Sequence, residues 1–190
     1  MGMTVTRRKD TQTPRVIMHK IADIRGGVSV ATADLTQDWL AEGTPLSAPV
    51  DGICHVVKVA KVQANATNSA TEINVYKGHN LKVGDNVFAV AGGKAYAITA
   101  IDTSAAGYDT VTVGTTLGVA LTKDVSFIMQ AAASGASGAT FKYAPVAVVG
   151  TGKPVVAGNN LDTDAWVIGV TQGNDLPDAV HSALKGIVNL

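Results

Sequence analysis

Short segments of alternating apolar and polar residues recur through the middle of the chain, each bounded by Gly, Asn or Asp. In CHVVKVAKVQA, odd-numbered and even-numbered residues fall on opposite faces, which is the period of a β-strand. In EINVYKG, the alternation places Ile73 and Val75 on one side of a second strand. Four further segments predict strands: NVFAV, KAYAITAID, DTVTV and DVSFIMQAA. Strands about every ten residues, separated by turns, are typical of a small β-sandwich or β-barrel.

The segments on either side of this block carry shorter apolar runs. Before it, a pair of glycines interrupts RVIMHKIADIRGGVSVATADL, which is also too β-branched to predict a helix. DLTQDWLAEGTPL predicts one short helical turn with Thr36 or Asp34 as its cap. After the block, FKYAPVAVVGTGKPVVAG predicts two strands joined at a Gly-rich turn, and DAWVIGVTQ predicts a buried strand.

The last segment, LPDAVHSALKGIVNL, predicts a short C-terminal helix. Pro177 suits a first helical turn, and Gly186 suits the C-terminal stop. Between them, helical spacing places four apolar residues on one face: Ala179, Val180, Ala183 and Leu184.

These patterns predict a mainly β protein with an insertion. Residues 1–14 are polar and end at a proline, which indicates a flexible N-terminal arm. The small, low-complexity segment at 131–140 has the composition of a flexible linker. We therefore expect residues 15–60 and 141–190 to form one β-rich domain, into which residues 61–132 insert a small β-barrel or β-sandwich.

Composition adds to this prediction. The chain has 190 residues, enough to bury a core without metals or disulfides. It is 46% hydrophobic and only 16% charged, so much of its surface consists of small and uncharged polar residues. This profile suits a β-rich protein with extensive contacts to other subunits. The single cysteine, Cys54, excludes an intramolecular disulfide and follows the pattern of a small buried apolar residue.

Charge and hydropathy bear on the partners. Fifteen basic residues balance fifteen acidic ones, so no overall field attracts nucleic acid or an anionic membrane. No run reaches the length of a transmembrane helix, and the basic N-terminus lacks the apolar stretch of a secretory signal. We expect a chain that is made and used as a soluble protein, without a nucleic-acid or membrane partner.

One glycine-rich segment, VVGTGKPVV, superficially resembles a phosphate-binding loop. Such a loop needs GxxxxGK followed by Ser or Thr, because backbone amides surround the phosphate and the hydroxyl holds magnesium. Here the glycines have the spacing GxGK, and Pro154 follows, which has no amide hydrogen. A tight hairpin turn is the better interpretation.

Other combinations of reactive residues are equally weak. The four histidines are scattered singly, and none has a second His or a Cys at the spacing of metal ligands. The nucleophile motif GxSxG is absent. Asp162 and Asp164 resemble part of a calcium loop but lack its glycine and closing glutamate. In YKGHNLKVGDNVFAV, we interpret His79 and Asp85 as turn or surface groups, since no nucleophile accompanies them. We expect no catalysis, no cofactor, no metal and no small-molecule substrate.

Several segments together resemble, in the same order, the head fiber or head-decoration proteins of tailed phages and prophages of Bacteroidetes. The similarity covers about residues 27–190. The segments that carry it are LTQDWLAEGTPL, YKGHNLKVGDNVF, GGKAYAITAID, YDTVTVGTTLG, GTGKPV and DAWVIGVTQGNDLPDAVHSALKGIVNL.

This resemblance implies a non-enzymatic virion component, made in the bacterial host cytoplasm and placed on the outer surface of the capsid. It implies a homo-oligomer, with a trimer favoured, and the major capsid protein as partner. Decoration proteins frequently attach through an N-terminal arm, so the expected capsid contacts are Arg7, Arg8, Lys9 and Arg15.

The alternative is a β-rich binding module whose inserted block recognises a glycan or a host surface, since inserted β domains often carry recognition loops. Glycan sites usually present exposed aromatic residues. The block offers only Tyr76, Tyr96 and Tyr108, while Trp39 and Trp166 belong to elements expected in or beside the core. Support for this alternative is therefore thin at the level of sequence.

Overall fold

The computed structural model describes residues 15–156 and 158–190. It is mainly β, with 42% of residues in strands and 5% in helices, which confirms the predicted fold class. The strands before residue 62 are β1 (Ile17–Asp23), β2 (Val28–Val30), β3 (Trp39–Leu40), β4 (Pro45–Ser47), β5 (Ile53–Cys54) and β6 (Val59–Lys61).

The middle block continues the chain with five strands. They are β7 (Glu72–Tyr76), β8 (Asn86–Phe88), β9 (Ala95–Asp102), β10 (Tyr108–Val113) and β11 (Phe127–Gln130). The remaining elements are β12 (Pro145–Val149), β13 (Lys153–Pro154), β14 (Leu161–Thr163), β15 (Ala165–Thr171), the helix α1 (Asp178–Ala183) and β16 (Ile187–Asn189).

Six antiparallel strands form a closed β-barrel. Their order is β6, β11, β8, β9, β10, β7. The first and last strands meet at a bridge between Val62 and Val75, and Gln63 N donates to the Asn74 carbonyl at 2.8 Å. This pairing joins the two ends of the sheet, so neither β6 nor β7 is left as a free edge there.

The barrel interior is filled by the inward face of each strand. Ile73 and Val75 of β7 are fully buried, as their alternation predicts. The same core contains Ala60, Val62, Leu81, Val87, Ile98, Val111, Val113, Leu117, Leu121 and Ile128. Aliphatic side chains of similar size pack in such an interior without polar groups that need partners.

The other strands come from residues 17–54 and 145–189 and form three further sheets. One has the order β1, β15, β12, β4, with β16 parallel to β15. β14, β2 and β5 form a three-stranded sheet, and β13 pairs with β3. Their shared core contains Val28, Val30, Leu35, Leu40, Leu46, Cys54, Val56, Ala147, Val149 and Ala165.

The C-terminal helix forms where the sequence predicts it. Pro177 precedes α1 in an extended conformation, and the helix ends at Ala183. Val180 is fully buried and packs with Leu184 against a cluster that contains Val148 of β12. This contact attaches the helix to the sheet.

Three local predictions are wrong. CHVVKVAKVQA is not one strand, because the chain breaks between β5 and β6, where Val56, Val57 and Lys58 are all buried. The helical turn predicted in DLTQDWLAEGTPL forms earlier, as a 3₁₀ turn at Thr32–Asp34, and Trp39–Leu40 is a strand. VVGTGKPVV is not a hairpin, since β13 pairs with β3 rather than with β12.

Residues 131–140 do not behave as the flexible linker that their composition indicates. Gly92 N donates to the Ala139 carbonyl at 2.8 Å, and Gly138 N donates to the Gly92 carbonyl at 2.8 Å. Ala139 is 5% exposed and packs beside Phe88. The backbone of this segment is therefore fastened to the turn between β8 and β9.

Candidate functional site

Strand β1 forms one end of its sheet, and β15 is the strand with which it pairs. Its apolar side chains Met18 and Ile21 are 61% and 60% exposed. Edge strands in monomeric proteins usually carry charges or bulges that prevent pairing with another chain. β1 has three register shifts against β15 but leaves two large apolar side chains in solvent.

Two further exposed apolar side chains lie on other strands of the same sheet. Val170 is paired with His19 on one side and with Val188 on the other, and directly paired residues share one face of a sheet. Two side chains on β15 and β16 are again exposed: Ile168 at 43% and Val188 at 57%. Met18 and Ile21 lie at the register shifts of β1 and have no paired residue on β15. We call Met18, Ile21, Ile168 and Val188, the exposed apolar side chains of these three strands, the edge surface.

The lysine of β1 is directed away from the free edge. Lys20 Nζ lies 5.0 Å from the centroid of the Trp166 ring and 3.7 Å from Asp164 Oδ2. Partial burial raises the pKa of the Asp164 carboxyl. Hydrogen bonds outweigh this effect, chiefly the 2.9 Å bond from Trp166 Nε1 and a contribution from Thr151, and Lys20 adds to them, so the pKa lies below its ordinary value. Lys20 is thus paired within its own sheet.

A second surface is a cleft of about 420 Å³ beside the barrel. Lys61 Nζ forms an ion pair with Asp175 Oδ2 at 2.6 Å, and the Tyr76 hydroxyl donates to Asp124 Oδ1 at 2.6 Å. Phe127 lines the same cleft, with Lys61 Nζ 5.9 Å from its ring centroid. We call Lys61, Tyr76, Asp124, Phe127 and Asp175 the aromatic cleft.

His79 is buried at one end of this cleft and is not a surface group. Its Nδ1 accepts a hydrogen bond from Leu81 N at 3.2 Å, so the neutral ring carries its proton on Nε2. Nε2 lies 3.3 Å from Asp109 Oδ2, an ion-pair distance without hydrogen-bond geometry. Burial lowers the pKa of His79 below its ordinary value, and the nearby Asp109 only partly opposes this. His79 is thus a buried group beside the Asp109 carboxylate, not the turn or surface group that the sequence predicts.

Asp85 stabilises a turn, as its sequence context predicts. Its Oδ2 accepts Lys82 N at 2.9 Å across the turn, and also accepts Lys58 Nζ at 2.9 Å. Gln130 Nε2 donates to Oδ1 at 2.7 Å. The carboxylate thus links the turn before β8 to β11 and to the residue before β6.

The sequence missed one further polar cluster. His55 Nδ1 lies 2.7 Å from Asp34 Oδ2, and the same oxygen accepts Val56 N at 3.3 Å. The His55 ring stacks on Tyr143, with centroids 4.0 Å apart and planes 2° apart. These contacts join the 3₁₀ turn to the chain after β5. No sequence motif signals them, because Tyr143 is far from His55 along the chain.

Other residues singled out in the sequence have structural environments. Lys153 Nζ donates to the Asp162 carbonyl at 2.6 Å, so the lysine of the GxGK segment is occupied within the fold. Cys54 is 1% exposed, and burial raises its pKa. In the described ranges, no group of three or more His, Cys, Asp or Glu side chains converges as metal ligands would.

The expected capsid-contact arm falls largely outside the structure. Arg7, Arg8 and Lys9 lie outside the described residues, and Arg15, the first described residue, is exposed and stands two positions before β1. Within the part of the chain that the structure describes, no helix is long and apolar enough to span a membrane. Comparison of the chain with protein-family models, curated proteins and solved structures finds no match in any of the three.

Proposed function

We propose that this chain is a structural virion protein, a capsid decoration or head fiber protein on the outer surface of a phage head. The proposal combines two lines of support. The ordered segments that resemble head-decoration proteins provide the first. The second is the edge surface, which gives a protein of balanced charge an apolar surface for contacts with its own copies. The proposed role involves no catalysis.

The edge surface is the observation that carries this proposal. Completing the burial of its four side chains is worth roughly 3–6 kcal/mol, scaled from about 1.5–3 kcal/mol for a fully buried large apolar side chain. Association costs about 4–15 kcal/mol in lost free motion. One such contact is therefore marginal, even with added hydrogen bonds along the free edge of β1.

A closed trimer overcomes this limit. Three copies joined in a ring form three contacts. Assembly of the ring costs the independent motion of only two copies, because the trimer as a whole keeps the motion of one. Many weak contacts to a capsid lattice then act together through the high effective concentration of linked sites. We therefore favour a trimer that attaches to the major capsid protein, with the arm at Arg7, Arg8, Lys9 and Arg15 as the proposed point of attachment.

Co-sedimentation tests the capsid role. Purified full-length protein is mixed with capsids that lack it, and the pellet is quantified against protein spun alone. We expect saturable binding at a fixed number of copies per capsid. An empty pellet across a wide range of protein concentration would exclude the capsid role.

Light scattering tests the part played by the edge surface. We expect wild-type protein to have three times the 19.4 kDa mass of the chain, and Ile21→Lys to have the mass of one chain. Val83→Lys is the matched control, because Val83 is 61% exposed but lies in the loop between β7 and β8. A wild-type monomer, or an unchanged mass for Ile21→Lys, would rule out assembly through this surface.

A further inference from the structure

We propose that the aromatic cleft is a binding site for a neutral saccharide. This site is separate from the edge surface and does not depend on the capsid role. It would give the chain a recognition function in addition to assembly. The sequence gives little support for a glycan-binding module, but the structure brings the aromatic and acidic side chains of the aromatic cleft together.

The outer face of the barrel carries a row of aromatic rings. Phe127 pairs directly with Lys61, and Tyr76 pairs directly with Tyr108, while the bridge from Val62 to Val75 sets β6 beside β7. Their neighbours in sequence point into the core, so these four side chains point outward. Three of the chain's nine aromatic residues (two Trp, four Tyr, three Phe) thus lie on one stripe.

Rings at this position present flat apolar faces beside polar groups. Tyr76 is 37% exposed, and Phe127 and Tyr108 are partly exposed. One face of a sugar ring is a sheet of C–H groups, which gains dispersion and desolvation energy on an aromatic face. The cleft volume of about 420 Å³ lies within the roughly 300–1,000 Å³ of small-molecule sites.

The polar groups of the cleft are already held in position. The Tyr76 hydroxyl fixes Asp124 through Oδ1, and Lys61 holds Asp175 through Oδ2. Within the described residues, neither Asp124 Oδ2 nor Asp175 Oδ1 takes part in another hydrogen bond. Each is therefore an acceptor beside a ring that can receive a hydrogen bond from a sugar hydroxyl.

The charges favour a neutral ligand over an anionic one. Around the cleft, Lys61 and Lys77 face three carboxylates, those of Asp109, Asp124 and Asp175. Lys77 is also engaged by Asp109 and by the Thr103 carbonyl at 3.1 Å. Among the described residues of the cleft, a phosphate or sulfate would meet no unpaired cation, whereas a polyhydroxyl ligand can use acceptors and donors alike.

Binding is tested with full-length protein and a panel of neutral disaccharides: maltose, cellobiose, lactose, mannobiose and diacetylchitobiose. Each is titrated to millimolar concentration, and two-dimensional amide NMR spectra report the residues that shift. We expect at least one disaccharide to bind, with shifts clustered at residues 59–61, 76–79, 124–127 and 175. No binding by any of the five, or shifts elsewhere on the surface, would overturn the proposal.

Variants separate stacking from general surface effects. We expect Tyr76→Ala to weaken binding about tenfold, as truncation of an aromatic anchor does. Trp39→Ala is the control, since Trp39 is 39% exposed and lies outside the barrel, and it should leave affinity unchanged. Tyr76→Phe retains the ring, so its affinity for the disaccharide should fall only a few-fold. This variant keeps the test available if Tyr76→Ala folds poorly. Equal loss in the Trp39 and Tyr76 truncations would contradict the assignment.

Competing ligands decide the chemical class. A sulfated disaccharide from heparin and a short single-stranded DNA are tested in the same titration. We expect both to bind more weakly than the best neutral sugar. Any binding they show at the cleft residues should not depend on salt concentration. Tighter binding of either anion at the same residues would overturn the assignment to neutral saccharides.

Discussion

The network around Asp85 should dominate the stability of one end of the barrel. Asp85 accepts Lys58 Nζ at 2.9 Å, Gln130 Nε2 at 2.7 Å and the turn amide of Lys82 at 2.9 Å. The Lys58 side chain is only 4% exposed, and that of Asp85 is 13% exposed. The Asp85→Ala variant therefore leaves a buried ammonium without its carboxylate, together with two donors that lose their acceptor.

Removal of one partner from a buried ion pair costs about 3–5 kcal/mol, because the remaining charge stays desolvated. We expect Asp85→Ala to lower the free energy of unfolding by that amount. Lys58→Met removes the charge and keeps the length of the side chain, while Asp85 retains its hydrogen bonds from Gln130 and Lys82. We expect that variant to lose about 1–2 kcal/mol.

Urea unfolding followed by circular dichroism measures both effects, with the free energy taken from the midpoint and slope. In the Lys58→Met background, Asp85→Ala should cost about 2 kcal/mol less than in the wild type, because no buried ammonium is left behind. Asp162→Ala, at an exposed carboxylate, is the control and should change stability by about 0.5 kcal/mol or less. A loss under about 1 kcal/mol for Asp85→Ala, or equal losses in both backgrounds, would refute this reasoning.

Three further predictions concern the burial of single residues. Burial lowers the pKa of His79 below 6.5, so at acid pH the unfolded chain binds a proton that the folded chain does not. The urea midpoint of the wild type should therefore fall as the pH drops below 6.5, and that of His79→Gln should fall less. Gly169→Ala places a Cβ 2.7 Å from the His19 carbonyl of β1 and should cost about 1–3 kcal/mol in urea unfolding, whereas Gly107→Ala, with no atom within 4 Å, should be neutral. Cys54 should react with a thiol reagent only after urea unfolding, and rapid labelling of folded protein would contradict its burial.

Local alternation predicts the barrel strands well where one face is buried and the other meets solvent. In β7, Ile73 and Val75 are buried as predicted, because the strand has this two-sided environment. Alternation fails near Lys58, where the chain is covered on both sides and a lysine turns inward to reach Asp85. The sequence there has the pattern of one long strand, whereas the structure forms two short ones.

Contacts between distant residues account for what the sequence missed. The bridge from Val62 to Val75 closes the barrel, and β13 pairs with β3 although it follows β12 directly. Neither pairing has a local signal, since both depend on how the whole sheet curves. Likewise, the sequence has no local signal for the 3.3 Å approach of His79 Nε2 to Asp109 Oδ2, because Asp109 lies on β10, a strand distant in sequence that pairs with β7.

The two candidate surfaces likewise depend on contacts between residues that are distant in sequence. Tyr76 and Phe127 are scattered along the chain, and only the register of β6, β7 and β11 places them beside one cleft. The sequence does not predict the exposure of Ile21 either, because an apolar residue in a strand is expected to face the core. Both surfaces therefore emerge from tertiary structure.

Electron cryo-microscopy of capsids incubated with the purified chain is the most direct test of the proposed capsid role. We predict ordered density on the outer face of the shell, repeated with the capsid symmetry and sized for three copies of the 19.4 kDa chain at each position. The closed six-stranded barrel should be recognisable in each copy. Capsids indistinguishable from untreated ones, at concentrations well above those needed for assembly of the chain, would contradict the proposed function.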